Sequence, residues 1–327
     1  MLFGPLSFYI AHFLKLACIV FRCKTIKLCM DHVENDWMRI ESENDREIMT
    51  SNVRVGRGLT ILFGAFIYGS GMAYHAIMPL WSGSTINELN QTVRPLVYPG
   101  YDIFVESQMS PTYEIIFCTT CVSAFVVYTV TTAACNIAAI FVTHACGQIQ
   151  IVMSRLESLV DGIDGNGNSR KIQGRISFII KCHVRVLRLT SNIEVVLREI
   201  CLVEVVASSM IICLQEYYCM TEWNKGETFA VMTYVIGLIS LSFNIFIFCH
   251  IGELLQEKWH QIAKTTYMIE WYRLPGKTGL ALVMVIAMAN FPRKLTAGGM
   301  MELSVCSFGN VMKTSFAYLN MLRTIAE

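Results

Sequence analysis

The sequence predicts an all-α, polytopic membrane helical bundle, and three observations carry the prediction. Of the 327 residues, 54% are apolar and only 16% are charged. Mean hydropathy is +0.48, which a soluble domain of this length seldom reaches. The apolar residues are also gathered into runs near the roughly 20 residues needed to cross about 30 Å of hydrocarbon. The expected partner is therefore the lipid bilayer, and no nucleic acid.

Six runs qualify as spans: Leu6 to Phe21, Leu59 to Leu80, Tyr113 to Cys146, Glu199 to Cys219, Thr228 to Leu255 and Met300 to Thr324. A further run, Gly279 to Phe291, is short for a span and is stopped by Pro292, so it reads as a buried or partly inserted helix leading into the last one. That last run is apolar enough to cross, yet it carries Lys313, Thr314, Ser315, Asn320 and Arg323. Polar groups inside a span are costly and turn towards protein or water, so this run is a pathway candidate.

Orientation follows from the basic residues, which accumulate in loops that stay cytoplasmic. They fill the segments from Arg22 to Arg57, Arg155 to Arg188 and Lys258 to Lys277. By contrast, the loop from Trp81 to Thr112 has only Arg94, and Met220 to Glu227 has only Lys225. The alternation places both chain ends outside. It also makes Asn90-Gln91-Thr92, a glycosylation acceptor pattern centred on Asn90, external. An external start with no basic leader and no cleavage site predicts a shortened form, whose longer version begins in the cytoplasm and carries one more span before Leu6.

Other chemistry is thin. Asp164-Gly165-Asn166-Gly167-Asn168 resembles a calcium loop, but Ser169 and Arg175 stand where Gly and Glu are required, so a turn is expected. The 13 cysteines lie mostly within spans as small apolar residues, and none has zinc spacing with histidine. No metal or cofactor is expected. Neither is an enzyme, since Glu204 with Glu216 is all the spans offer by way of acid or base. His12 and Lys15 could line a cavity, but Lys15 lies within snorkelling reach of the inner surface near Arg22, and that placement is expected. A G-protein-coupled receptor ends in the cytoplasm, unlike this chain, and no repeated halves suggest a secondary transporter.

Several short pieces occur in a telling order. Asp36-Trp37 stands in the first cytoplasmic loop, then Pro95-Leu96, Tyr98-Pro99 and Ser110-Pro111 with Tyr113 in an external one. Phe248-Cys249-His250-Ile251-Gly252-Glu253 closes the fifth run, and Trp271-Tyr272-Arg273-Leu274-Pro275 with Leu295-Thr296-Ala297-Gly298 approaches the last. Within it stands Lys313-Thr314-Ser315-Phe316-Ala317-Tyr318. In these pieces, over nearly its whole length, the chain resembles the insect odorant receptors. The region around Tyr318 lacks the signature usual in the family's gustatory relatives.

The resemblance implies a seven-span fold in which the six spans here correspond to the family's second to seventh. Residues 1–255 would form the bundle with its odorant-binding region and cytoplasmic loops. Residues 256–327 would form a cytoplasmic anchor segment, including the short helix, and the C-terminal pore helix. The implied function is that of an odorant-binding subunit of a ligand-gated, non-selective cation channel in olfactory signal transduction. It would bind a small volatile odorant and work with a common co-receptor in a heterotetramer, in the plasma membrane of a sensory neuron. The alternatives are a gustatory-type chemoreceptor channel of the same superfamily or a multi-pass transporter.

The resemblance places Met321 at a hydrophobic pore constriction, with Ala317, Asn320 and Thr324 nearby; Ala317, Met321 and Thr324 also share a helix face by spacing. The other possibility is that Met321 packs against a neighbour while Arg323 snorkels. Candidate ligand-binding residues in the outer half are Tyr9, Phe13, Tyr68, Gly71, Met72, His75, Tyr113, Phe117, Met232 and Tyr234. Aromatic walls suit a volatile ligand, because transfer from water supplies affinity while a few polar groups orient it. In the cytoplasmic segments, Ile149, Val152, Leu156 and Leu159, and again Val184, Leu187 and Val195, have the spacing of buried helix stripes.

Overall fold

Proline ends or kinks helices, and none of this chain's prolines falls inside its three longest elements. The computed structural model describes residues 3–82, 85–86, 92–94, 96–97, 107–161, 169–226, 228–274, 278–291 and 294–326. Helix α1 spans Phe3–Phe21, α2 Cys23–Met38 and α3 Glu43–Met72, followed by a π-helical turn at Ala73–Ile77 and a short α4, Met78–Ser82. The proline-free stretches give α5, Thr112–Glu157, α6, Ser169–Lys225, and α7, Thr228–Met268. Then come α8, Gly279–Asn290, and α9, Val305–Ala326. Two antiparallel two-residue hairpins interrupt this order: β1 (Thr85–Ile86) with β2 (Thr92–Val93), and β3 (Thr296–Ala297) with β4 (Met301–Glu302). Asn90 and the expected turn at 164–168 lie outside the described residues.

Among the described residues, three helices are long and apolar enough to cross a membrane: Glu43–Trp81, Thr112–Val160 and Ala230–Met268. They become four if α1 and α2, bent by 61° at their junction, form one broken span. The expected runs Glu199 to Cys219 and Met300 to Thr324 fall on α6 and α9, outside that set.

Helix α5 is the hub. Its central stretch is rich in small residues, and Ala134, Cys135, Ala138, Ala139, Ala145 and Cys146 are all buried. Small side chains let helix backbones approach closely where water provides no driving force, which is how membrane helices pack. Helices α3, α6 and α7 surround α5, and α1 closes the bundle against α5 and α6. The expected stripe Ile149, Val152, Leu156 and Leu159 is buried. On α6 the stripe differs from expectation. Val184 is exposed and Leu187 and Val195 are half-buried, while Val186, Leu189, Ile193 and Val196 face the core. Helices α1, α2, α5, α7 and α9 and strand β3 pack on α6, and their positions, more than its own periodicity, select its buried face.

Outside the apolar region, Asp36 of the Asp-Trp pair joins three helices. Its carboxylate lies 2.5 Å from Arg185 on α6, 3.0 Å from His144 on α5 and 3.4 Å from His32 on its own helix. Nearby, the buried His183 ring lies 5.5 Å from the Trp259 ring. Burial pushes both His32 and His183 below the ordinary histidine value of 6.5. Folding then favours the neutral rings, so their contribution is fully present above pH 6.5 and is lost progressively as pH falls below it towards the depressed folded-state values. Acidifying purified protein from about pH 7.5 to about pH 5.5 is expected to lower its unfolding midpoint, less so in His183→Phe. A midpoint that stays constant or rises would contradict this.

The last helix begins later than its apolar run suggested. Met301–Glu302 forms strand β4, and Ser304 caps the helix, its Oγ accepting from the Ser307 N–H at 3.1 Å. Glu253, in the C-terminal half of α7, accepts from the Val305 N–H at 3.0 Å, placing a carboxylate at the positive end of α9. The β3–β4 hairpin is fixed to α6. Glu194 accepts from the Thr296 N–H at 2.9 Å and from the Thr296 hydroxyl, and the Arg198 carbonyl accepts from the Gly298 N–H at 2.9 Å. The root of α9 is thus tied to both α6 and α7.

Candidate functional site

Pro79 cannot donate a backbone hydrogen bond, and its ring crowds the carbonyl four residues back, that of His75. The chain responds with the π turn at Ala73–Ile77, and the His75 carbonyl accepts from the Cys121 thiol at 3.6 Å. The same turn carries the His75 ring inwards. Its Nδ1 lies 2.7 Å from the Tyr128 hydroxyl and 3.3 Å from the Gly71 carbonyl. Gly71 is required there, because a Cβ would overlap the Tyr128 ring. Tyr128 also meets Tyr68 edge to face at 6.3 Å, while the Tyr68 hydroxyl lies 3.0 Å from Thr129 Oγ1. Across the bundle, the Tyr9 hydroxyl lies 2.9 Å from Ser123 Oγ.

Of the ten ligand candidates, Tyr68, Gly71 and His75 therefore converge on one aromatic residue, Tyr128, and Tyr9 joins the same helix α5 from α1. Tyr234 stacks on Tyr218 at 5.9 Å, and Tyr113 stacks on Phe117 at 6.2 Å near the N-terminal end of α5, with the Arg94 guanidinium 5.2 Å from the Tyr113 ring centre. Phe13 is 71% exposed, and Met72 and Met232 are exposed too, so these three point out of the bundle and not into its interior. Tyr128 was not anticipated. Its signal was available in spacing, since it lies three residues after Phe125 on α5 and so shares a helix face with it, and the Tyr68 ring meets both.

One to two turns further in, a small cavity of about 50 Å³ is walled by Ile67, Tyr128, Ile211 and Leu241 and contains the side chains of His12, Lys15, Thr131, Glu204, Ser208 and Asn244. Lys15 corrects the expectation that it would snorkel. Its Nζ lies 2.5 Å from Glu204 Oε2, with the two side chains 2% and 1% exposed. A charge within apolar surroundings is costly, and a carboxylate within reach on α6 neutralises it at lower cost than stretching to the surface. Glu204 also accepts from Ser208 at 2.8 Å and from Asn244 Nδ2 at 2.7 Å. Two opposite charges inside apolar runs were the sequence signal for this pair. Among the described residues no group of histidine, cysteine and carboxylate side chains could hold a metal ion.

Among the described side chains of α9, only Val311, Ser315 and Leu319 are buried, four residues apart. At 100° per residue, Ala317, Asn320, Met321 and Thr324 lie on the opposite side, and all four are exposed.

A family model described as 7tm Odorant receptor matches residues 2–316. The chain belongs to the odorant receptor family. Among curated proteins, the receptor is similar to Odorant receptor 10 of Aedes albopictus, 22% identical over 90% of this chain and 72% of that one. It is also similar to Odorant receptor Or2 of Anopheles gambiae, 20% identical over 95% and 80% of the two chains. Among solved structures, the receptor superposes on the insect olfactory receptor OR5 of Machilis hrabei in complex with eugenol, with a TM-score of 0.73 and 11% identity. That superposition covers 98% of this chain and 79% of the other. At such identity the likeness is one of fold. The receptor is thus a largely helical, multi-pass membrane protein of the insect type and not an enzyme.

Proposed function

We propose that this receptor is the odorant-binding subunit of a ligand-gated, non-selective cation channel, working with a common co-receptor in a heterotetramer in the plasma membrane of olfactory neurons. The observation that carries the reading is α9. A helix buried along one narrow stripe, with Phe316, Tyr318 and Met321 exposed beside Lys313 and Asn320, has no complete set of partners within its own chain. Neighbouring subunits and a central aqueous path would supply them. Helix α8 fits the same picture. Leu282, Val285 and Ala289 face α7, while Leu280, Val283, Met284 and Met288 are exposed and suit an anchor between subunits.

On this reading the chain crosses the bilayer six times, along α1, the outer parts of α3 and α5, the C-terminal part of α6, the N-terminal part of α7, and α9. Residues 256–327 supply the anchor and the pore helix. The odorant sits among Tyr9, Tyr68, Gly71, His75 and Tyr128, and Tyr234 borders them. That a structural neighbour was solved with eugenol, a small volatile phenol, supports a ligand of this kind. Ligand preference for the open state shifts the closed-to-open equilibrium. The root of α9 transmits the shift, because α6 and α7 hold it through Glu194, Arg198 and Glu253.

The test is electrical. Cells making this receptor with the co-receptor should pass odorant-evoked current that cells making the co-receptor alone do not. Surface-expressed receptor that stays silent across a broad odorant panel would count against the reading.

A further inference from the structure

We propose that the small cavity around the Lys15–Glu204 pair is a recognition site for a neutral hydroxyl group, so that this receptor prefers alcohols and phenols over ligands that only accept hydrogen bonds. The inference rests on the reading of the bundle as the odorant-binding region and specifies the chemistry of its floor. Every element that contributes to the aromatic cluster also reaches the cavity, one or two turns deeper. On α5 the step is from Tyr128 to Thr131, on α3 from Gly71 to Ile67, and on α1 from Tyr9 through His12 to Lys15. Tyr128 belongs to both, so a carbon skeleton lying against the aromatic wall carries its head group into the cavity.

The polar atoms there are specific about what they lack. Asn244 Nδ2 donates to Glu204 Oε1 at 2.7 Å, so the amide oxygen turns away from the carboxylate, and that Oδ1 is buried with no partner. Thr131 Oγ1 is buried and unpartnered as well, and both side chains line the cavity. Thr131 is 2% exposed and Asn244 3%. An ammonium has three donors, and Glu204 occupies one of those of Lys15. The site therefore offers donors from Lys15 and acceptors from Asn244 and Thr131 within one small volume.

A hydroxyl both accepts and donates, and answers each side. An ether or aldehyde answers Lys15 alone and leaves buried acceptors unpaired, and a hydrocarbon leaves everything unpaired, which sites built for a hydroxyl penalise strongly. Charged heads are disfavoured as well: an amine would face Lys15 and a carboxylate would face Glu204. A cavity of about 50 Å³ admits such a head group and no more of the ligand, since whole drug-sized ligands need about 300 Å³ or more.

The experiment measures unfolding midpoints of the purified full receptor against concentration of two isomeric probes, 1-hexanol and 1-methoxypentane. The alcohol should stabilise at about tenfold lower concentration than the ether, the worth of one hydrogen bond to a buried group. In Thr131→Val, which removes an unpartnered hydroxyl without altering side-chain shape, that advantage should shrink severalfold while the ether curve stays in place. Asn244→Leu serves as a second variant, and Lys15→Met is avoided because it leaves Glu204 uncompensated. Equal potency of the two probes overturns the hydroxyl site and leaves the odorant-binding reading standing. An advantage that survives in both variants also overturns it. Failure of both probes to stabilise the receptor overturns both the site and the reading beneath it.

Discussion

Lys15→Met is expected to destabilise the receptor by about 3–5 kcal/mol, because it leaves the Glu204 carboxylate buried without its counter-charge. The pair lies 2.5 Å apart in apolar surroundings, and Ser208 and Asn244 give Glu204 only neutral hydrogen bonds. A loss of that size consumes a large share of the stability of most proteins. The single variant should be recovered in low yield, eluting as aggregate on size exclusion. Combining it with Glu204→Leu removes both charges together, and much of the loss should return, because a well-packed apolar replacement of an ion pair is often neutral. A single variant as stable as the parent would mean that Lys15 does not stay paired in the folded receptor.

Gly252→Ala is expected to act on the root of α9. Gly252 lies where α7 meets the segment leading into that helix, and an added Cβ would stand 2.6 Å from Leu303 Cβ and overlap the Leu303 carbonyl oxygen. Backbone cannot yield as a flexible side chain does, so the crossing must widen, at about 1–3 kcal/mol for overpacking. The neighbouring bond from the Val305 N–H to Glu253 would lengthen with it. Odorant-evoked current per receptor at the cell surface should therefore fall by much more than surface expression does. Equal falls would reduce Gly252 to a folding role.

These two sites were legible in the sequence to different degrees. Gly252 and Glu253 stood in a recognisable piece at the end of the fifth apolar run, but what they touch is Leu303 and Val305, the latter 52 positions after Glu253 and beyond any local periodicity. Lys15 and Glu204 were visible as charges in apolar runs. Their pairing was missed because a lysine near a helix end can satisfy itself by snorkelling, and only the crossing of α1 with α6 decides between the two. The helices themselves were readable because apolar length and proline placement are local properties. The start of α9 was not, since Met300, Met301 and Leu303 are as apolar as a helix requires, and a capping Ser304 with a hairpin before it decides the boundary. Of the ligand candidates, Tyr68, Gly71 and His75 stand three and four residues apart, the spacing of one helix face. Spacing could not exclude Phe13, Met72 and Met232, because an apolar side chain in a membrane protein faces lipid as readily as it faces a cavity.

If α9 lines the path of odorant-gated cations, as proposed, a substitution at Met321 should change the current. Met321 is 59% exposed on the side of α9 away from Val311, Ser315 and Leu319. Odorant-evoked current is recorded from cells making the co-receptor with either the parent receptor or Met321→Ala, at matched surface expression. A pore-lining Met321 predicts altered current properties in the variant, seen as a changed reversal potential in mixed cations or a changed fraction of open time. Current indistinguishable from the parent in selectivity, conductance and gating would contradict it and leave Met321 a packing residue.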